Sequence, residues 1–551
     1  MKKMPSLSAL SVGRSGDGDG GSGGSDGSGG SRTGRSLLAC AAVLAVVFGV
    51  AELRPPAAPA APPAGAVTGA QVERTAAVCP QPMQGLSGTT QLTAFSPGSG
   101  GSAGGSAAVR DVAPPAVVAP SAPAPAGAPS AGAPSGSPAP APAQGQTNDA
   151  RLSLTKPGTP VSVNAAPGDT ANGSSAVATG SYAPGFTVTQ TTTVTDPRGL
   201  GLSGVTCSPA GTHFWFAGAG TSGDRKDYLS LTNAEAAAAV VDVHLYGDKG
   251  PVDTGESGSG IKIDPGTSQA VLLSSLTTNQ NPDLAVEVTV RSGRVGAYLH
   301  ATDGSAGADW IPASVDPAPT VVLPGLPADL SGSRLIVAAP GSEDDADLKI
   351  QLSGPNGWFT PAGHETIHVK AGMVNAIALD QINRQQVSAL RLSPTDPKQH
   401  PTPVIATVRI DRANGSKSDA AWITGAGPVG KRASVADSRG GGAATLLLTS
   451  TVDAATVRVT ASAGTGGGTP TSKDVQIPAG ATVSLPSPEP GGGNSNFGLT
   501  VETVSGGPVV AARMLALTTK DVPMFTIQAL QDDHSYVQVP QANQDPGLLI
   551  H

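Results

Sequence analysis

A short element recurs at near-constant spacing and restricts what this chain can fold into. Ile263-Asp-Pro-Gly266 returns as Val369-Lys-Ala-Gly372 and as Ile477-Pro-Ala-Gly480, with the glycines 106 and 108 residues apart. Each glycine is followed by an apolar run, at 270–273, 374–379 and 482–485. An alternating segment and a Val/Ala-rich segment come next. An aromatic closes each copy: Trp310, Trp422 and Phe525 lie 44, 50 and 45 residues after their glycines. Landmarks in one order at one period mean a single supersecondary unit copied along the chain. Whether a degenerate fourth copy stands first is left open. Gly168 precedes Trp215 by 47 residues, but the segments between match poorly.

Within each copy the apolar period is two. Val241, Val243 and Leu245 alternate with polar neighbours, as do Leu284, Val286, Val288 and Val290, and Leu348, Ile350 and Leu352. That is the signature of half-buried strands. Clusters of Gly, Pro, Asn and Asp separate them, and no long amphipathic helix is legible. The expected fold is all-β, with tandem β-sandwich-like units after an N-terminal membrane segment and disordered tracts. The repeated glycines Gly266, Gly372 and Gly480 are expected in turns that need a positive φ or little bulk.

Composition sets the domain plan. Gly (73) and Pro (50) concentrate in a Gly/Ser/Asp leader and in an Ala/Pro tract, which carry too little apolar surface to offset ordering entropy. The plan is a disordered leader over 1–36, a signal sequence or transmembrane anchor over 37–53 and a Pro/Ala linker over 54–71. An N-terminal β unit follows over 72–227 with a low-complexity insertion at 98–148. β-Sandwich repeats complete the chain over 228–326, 327–436 and 443–551. The run "LLACAAVLAVVFGVA" behind Arg32 and Arg35 fits a cleaved signal or a short anchor, and the long polar leader favours the anchor. Its fifteen residues are short for a span of ~20. Cys40 does not end the apolar run, so a lipoprotein reading is disfavoured. Export makes Cys79 and Cys207 a predicted disulfide. The net charge of −8, with no basic stripe, argues against nucleic acid as a partner.

Several motifs spell chemistry. His364-Glu365-x-x-His368 has zinc-protease spacing, which works on a helix. Here it fills the strand slot before a repeated glycine, where residues four apart stand roughly 13 Å apart. No metal and no cofactor are therefore expected. Gly218–Gly223 spells G-x-G-x-x-G, but an alternating stretch follows it where a dinucleotide site needs a helix. The acids Glu343, Asp344, Asp345 and Asp347 lack calcium-loop spacing. Trp215, Trp310 and Trp422 are candidates for a glycan-stacking platform, with core or inter-unit packing as the plainer reading.

The segments "VERTAAVCP" (72–80), "GLGLSGVTCSPAGTHFWFAGAGTSGDRKDYLSLTN" (199–233) and "VVDVHLYGDKG" (240–250) resemble an uncharacterised family of actinobacterial exported envelope proteins, a domain of unknown function. The resemblance covers about 72–326. It implies an N-terminal membrane segment and β-rich extracytoplasmic units, and it supplies no catalytic residues. It also implies association with a membrane glycosyltransferase or a surface glycan. The expected role is a non-enzymatic envelope scaffold or binding surface on the extracytoplasmic side of the cell membrane. The alternatives are a secreted form, carbohydrate-binding modules and, third, a secreted hydrolase.

Overall fold

The period-two segments are strands because each buries one face. In the strand Ala239–Gly247 the side chains of Val241, Val243 and Leu245 are buried, and Leu284–Ser292 buries Leu284, Val286 and Val288 opposite them. Each such side chain contributes about 1.5–3 kcal/mol when removed from water. The computed structural model describes residues 67–82, 88–98, 104–114, 150–165, 172–195 and 200–540, except 305, 342–343, 397, 399–400, 493–494 and 520. The expected leader, the 37–53 segment, most of the Pro/Ala linker, Gly168 and Glu343 lie outside the described residues. Helical elements among the described residues are three short 3-10 turns.

One antiparallel topology occurs four times. In the second sandwich, nine strands run from His213–Ala219 to Ala308–Ile311. The first, seventh, third and fourth strands form one sheet, with the short fifth also paired to the third. The sixth, second, eighth and ninth form the other. The third sandwich, from Val321–Leu326 to Lys417–Thr424, repeats this order strand for strand. The first (Arg74–Cys79 to Gly201–Thr206) and the fourth (Arg432–Ser438 to Val522–Leu530) keep it without the short fourth strand. A fourth copy therefore stands at the N-terminal end.

The repeated glycines sit where the chain crosses from one sheet to the other. Gly266 lies between Ile261–Ile263 and Thr267–Leu272, Gly372 between Thr366–Val369 and Val374–Ala378, and Gly480 between Thr471–Ile477 and Thr482–Pro486. Their φ angles are +64°, +68° and +69°, which L side chains rarely adopt.

The expected unit boundaries are corrected by one strand. His213–Ala219, expected to close the first unit, pairs with Leu284–Ser292 and opens the second. Val321–Leu326 opens the third and Arg432–Ser438 the fourth in the same way. The linker between a last strand and the next first strand is short, so an apolar run following the landmark reads as an ending. Trp215 is accordingly not the first copy's counterpart of Trp310. The tract 98–148, expected as an insertion, contains the strand Ala107–Asp111, which pairs with Ser174–Thr179 inside the first sandwich. The linker 54–71 contains the strand Val67–Gln71.

Residues 69–539 form one compact unit. Within it the last strand of every sandwich, each at the edge of its sheet, packs against the last strands of its neighbours. These closing strands are Gly201–Thr206, Ala308–Ile311, Lys417–Thr424 and Val522–Leu530. The fourth sandwich returns to the first. Leu202 clusters with Leu515, Val522 and Met524, and Asn496 Nδ2 donates to Gln91 Oε1 at 2.6 Å. Gly498 lies flat against Phe95, where an added Cβ would stand 2.5 Å from the ring. The four sandwiches thus close a circuit of contacts.

Two of the turn glycines test this arrangement. Gly372 has open space around the missing Cβ, whereas a Cβ on Gly266 would stand 1.9 Å from the carbonyl oxygen of Ala113 in the first sandwich. Gly372→Ala is expected to cost about 1–2 kcal/mol from the left-handed backbone alone. Gly266→Ala is expected to lower Tm further in thermal denaturation. Equal losses would mean that the Gly266 turn does not dock on the first sandwich.

Candidate functional site

The sequence motifs do not assemble a catalytic centre. Thr366–Val369 is a strand paired with Ala346–Gly354, and His364 precedes it in a turn. His368 faces Asp347, Nδ1 to Oδ1 at 2.8 Å, and Asp345, Nε2 to Oδ2 at 3.4 Å. Glu365 instead accepts the amide of Gly363 at 2.9 Å. Asp345 also accepts the Ala371 amide at 2.9 Å, so Asp345 and Asp347 brace the strand. Among the described residues no group of three or more His, Cys, Asp or Glu stands close enough to hold a metal ion. Gly218–Gly223 runs from the end of one strand to just before the next in the second sandwich, and no helix follows it.

The tryptophans are corrected. Trp215, Trp310 and Trp422 are 6%, 3% and 0% exposed, so none can stack on a glycan. They join sandwiches. Trp310 packs on Val205 of the first sandwich, and Trp422 enters the core of the second beside Phe216 and Leu299. Phe525 of the fourth enters the core of the third. Each repeat landmark is thus an aromatic latch from a closing strand onto the preceding sandwich. Arginines cover two of them. Arg225 and Arg409 lie 5.7 and 5.6 Å from the Trp422 ring, and Arg412 lies 5.2 Å from Phe525. Trp215 packs on Ile336 and Ile405 of the third sandwich.

The predicted disulfide joins Cys79, at the end of the first strand, to Cys207, just past the closing strand of the same sandwich. Beside it Val78 N donates to Ser208 O at 2.8 Å. Tyr298 of the second sandwich reaches into this pair. Its hydroxyl donates to Val78 O and accepts from Ser208 N at 2.7 Å. Burial pushes the Tyr298 hydroxyl up to about 12, which keeps it a donor.

At the meeting point of the closing strands stand two buried carboxylates that sequence reasoning missed. Asp419 Oδ2 accepts the amides of Leu202 (3.2 Å) and Phe525 (2.8 Å), on the first and fourth closing strands, and Oδ1 accepts Ala420 N at 3.0 Å. Asp309 Oδ1 accepts Gly204 N and Trp310 N, both at 2.8 Å. The outward-facing amides of an edge strand have no strand partner, and an unpaired buried amide costs about 1–3 kcal/mol. These carboxylates supply the missing acceptors. Burial pushes Asp419 up to about 8 and Asp309 well up, although the amide donors pull both down. The available signal was a lone acid inside an apolar run, in "ADWI" and "SDAAWIT". Nearby, Arg513 is fully buried, donates to Gln528 and is lowered to about 10 by burial.

Concavities open elsewhere among the described residues. One, of about 460 Å³, lies between the second and third sandwiches. Its arginines are already held: Arg225 by Asp227 (2.6 Å), Arg334 by Asp283 (2.6 Å), and Arg409 by Asp303 and Asp411. Acids match or outnumber the arginines there, so the cleft is an inter-sandwich ion network and not an anion site. Another, of about 370 Å³, opens at one end of the third sandwich between the turns after Phe359 and Leu379.

Residues 161–488 match a family described as a family of unknown function (DUF5719). The match starts at the sixth-strand position of the first sandwich and stops just after the same position in the fourth, spanning three periods. No curated protein matches the chain.

The buried acids fix the sign of a pH response. Asp419, Asp309, Asp227 and Asp411 are all raised by burial, so these acids hold more protons in the native state than in the unfolded chain between pH ~4 and ~8, while buried His300, lowered to about 3, opposes them only below pH ~6.5. Stability is then present at low pH and lost as pH rises through that window. Scanning fluorimetry is expected to give a higher Tm at pH 5.5 than at pH 8.5. Asp419→Ala should lower Tm throughout and flatten the decline; a Tm rising toward pH 8.5 would contradict the assignment.

Proposed function

Because the chain belongs to this family of unknown function, membership brings no activity with it, and we propose a role from the geometry itself. The protein is a non-enzymatic extracytoplasmic component of the cell envelope, a scaffold or binding surface held to the membrane through residues 37–53. Its partner is a machine that assembles surface glycan.

The observation that carries this reading is the Cys79–Cys207 disulfide, a bond that persists outside reducing compartments. It lies where the first sandwich meets the second. The closed circuit of four sandwiches supports a rigid body that presents surfaces and does not open and close around a substrate. The aromatics and buried acids are committed to holding that body together. The residue patterns that spell catalysis in the sequence diverge in space, which supports a binding role over a hydrolytic one. Among the described residues no helix is long and apolar enough to cross a membrane, and 37–53 lies outside them.

The test is made on intact cells. A membrane-impermeant maleimide is expected to label Cys79 and Cys207 only after reduction, and the chain should sediment with membranes until a detergent is added. Labelling without prior reduction, or only after lysis, would contradict the extracytoplasmic reading. Reduction should also lower Tm, because a disulfide spanning 128 residues contributes about 4–5 kcal/mol in the chain-entropy model.

A further inference from the structure

The turns at the end of the third sandwich hold a set of side chains that the fold does not use. The strand Gly357–Phe359 points its two aromatics apart. Trp358 turns back, with the Arg391 guanidinium 4.2 Å from its ring and its indole N–H donating to Thr451 O at 3.2 Å. Phe359 faces the ~370 Å³ concavity and is 41% exposed, one of few large apolar side chains on the surface. Leu379 and Ile382 are buried and form the apolar floor. Around the ring stand Thr360, His364, Asp380, Gln381 and Arg384, whose side-chain polar atoms make no hydrogen bond among the described residues.

The facing turn is strained. Asp380, Arg384 and Gln385 have φ of +48°, +51° and +62°, three of the five non-glycine residues in the left-handed region among the described residues. Each such residue costs on the order of 1–3 kcal/mol and persists where the surroundings over-determine it, commonly at binding sites. Here the turn is pinned from beneath. Asn383 Nδ2 donates to Pro327 O and Gln386 O, both at 2.7 Å, and Ser333 Oγ donates to Asp380 O at 2.8 Å. The strain therefore holds Asp380 and Arg384 at the rim of the pocket.

We propose that this pocket is a saccharide-binding site, taking one or two uncharged sugar rings with their C–H face on Phe359 and their hydroxyls on Asp380, Gln381, Arg384 and His364. Three features choose this ligand class. One aromatic face ringed by free donors and acceptors matches a ring that is apolar on its faces and hydroxylated at its edge. One carboxylate and one guanidinium offset each other, so neither a phosphate nor a cation is favoured. A volume near the lower end of the usual ~300–1,000 Å³ for ligand sites suits a small ring rather than a polymer segment buried along its length. An added peptide strand is disfavoured, because Gly357 lies against Ala479 and Trp358 bonds to Thr451, both of the fourth sandwich, at the sheet edge it would need. The proposal deepens the scaffold reading by naming what the body binds. It is tested on purified protein, so its failure is separate from failure of the localisation experiment.

The probe is a panel of neutral mono- and disaccharides (glucose, galactose, mannose, arabinose, rhamnose and N-acetylglucosamine, with their common dimers) at millimolar concentration. Binding to the full chain is read by saturation-transfer difference NMR. At least one sugar is expected to show ring-proton transfer. Phe359→Ala and Arg384→Ala should each weaken it at least about tenfold with Tm unchanged. Tyr228→Ala, which removes another exposed aromatic of the second sandwich, should leave it intact. No transfer from any panel member would overturn the proposal. So would transfer insensitive to Phe359→Ala, or tighter binding of an unrelated peptide at the same residues.

Discussion

The structure depends on how four sheet edges are closed. A β-sandwich ends in edge strands whose outward amides and carbonyls lack partners, and an open edge invites association. Here the last strands of all four sandwiches converge, and their amides are not answered by another strand. Asp309 and Asp419, on the second and third closing strands, accept backbone N–H groups from the first and fourth. Two buried acids thus turn four separate edges into one junction. Desolvating a carboxylate opposes this, which is why both acids are pushed up. The amide donors offset part of that cost.

The rest of the arrangement follows from the same junction. Once the closing strands meet, each can deliver an aromatic side chain to the sandwich before it, as Trp310, Trp422 and Phe525 do. The first closing strand, which has no preceding sandwich among the described residues, carries Leu202, which packs on the fourth and completes the circuit. The first sandwich also receives extra bracing: the disulfide fixes its two ends, and Tyr298 ties that fixed pair to the second sandwich. Little of the aromatic content is left for the surface, which makes the exposed ring of Phe359 informative.

Much of this was legible in the sequence. Period-two alternation and the recurring glycines revealed β-sandwich repeats, because both follow from local geometry: a strand shows one face to the core, and a sheet-crossing turn needs positive φ. The pairing of Cys79 with Cys207 was legible for a chemical reason. Boundaries were less so. The first strand of each later sandwich follows the previous closing strand after a short turn of the kind that also joins strands within a sandwich. The strand Ala107–Asp111 was hidden because Ala-Ala-Val-Arg-Asp carries little β signal, and its burial comes from pairing with Ser174–Thr179. The exposure of the tryptophans was not legible, since burial by a neighbouring sandwich leaves no periodic trace. Asp309 and Asp419 looked like ordinary strand acids until the edges they cap were brought together. His368 was legible as a strand-slot residue, whereas His364 stands in the turn before that strand.

Hydrogen exchange at single amides tests the junction most directly. The amides of Leu202, Gly204 and Phe525 lie on edge strands and donate to carboxylates, not to a neighbouring strand. If the two acids close the edges, these amides exchange as slowly as those of a central strand such as Leu284–Ser292, and Asp419→Ala releases Leu202 and Phe525 while leaving Gly204 protected. Fast exchange at all three in the unaltered protein, at the rate of an open sheet edge, would contradict the account.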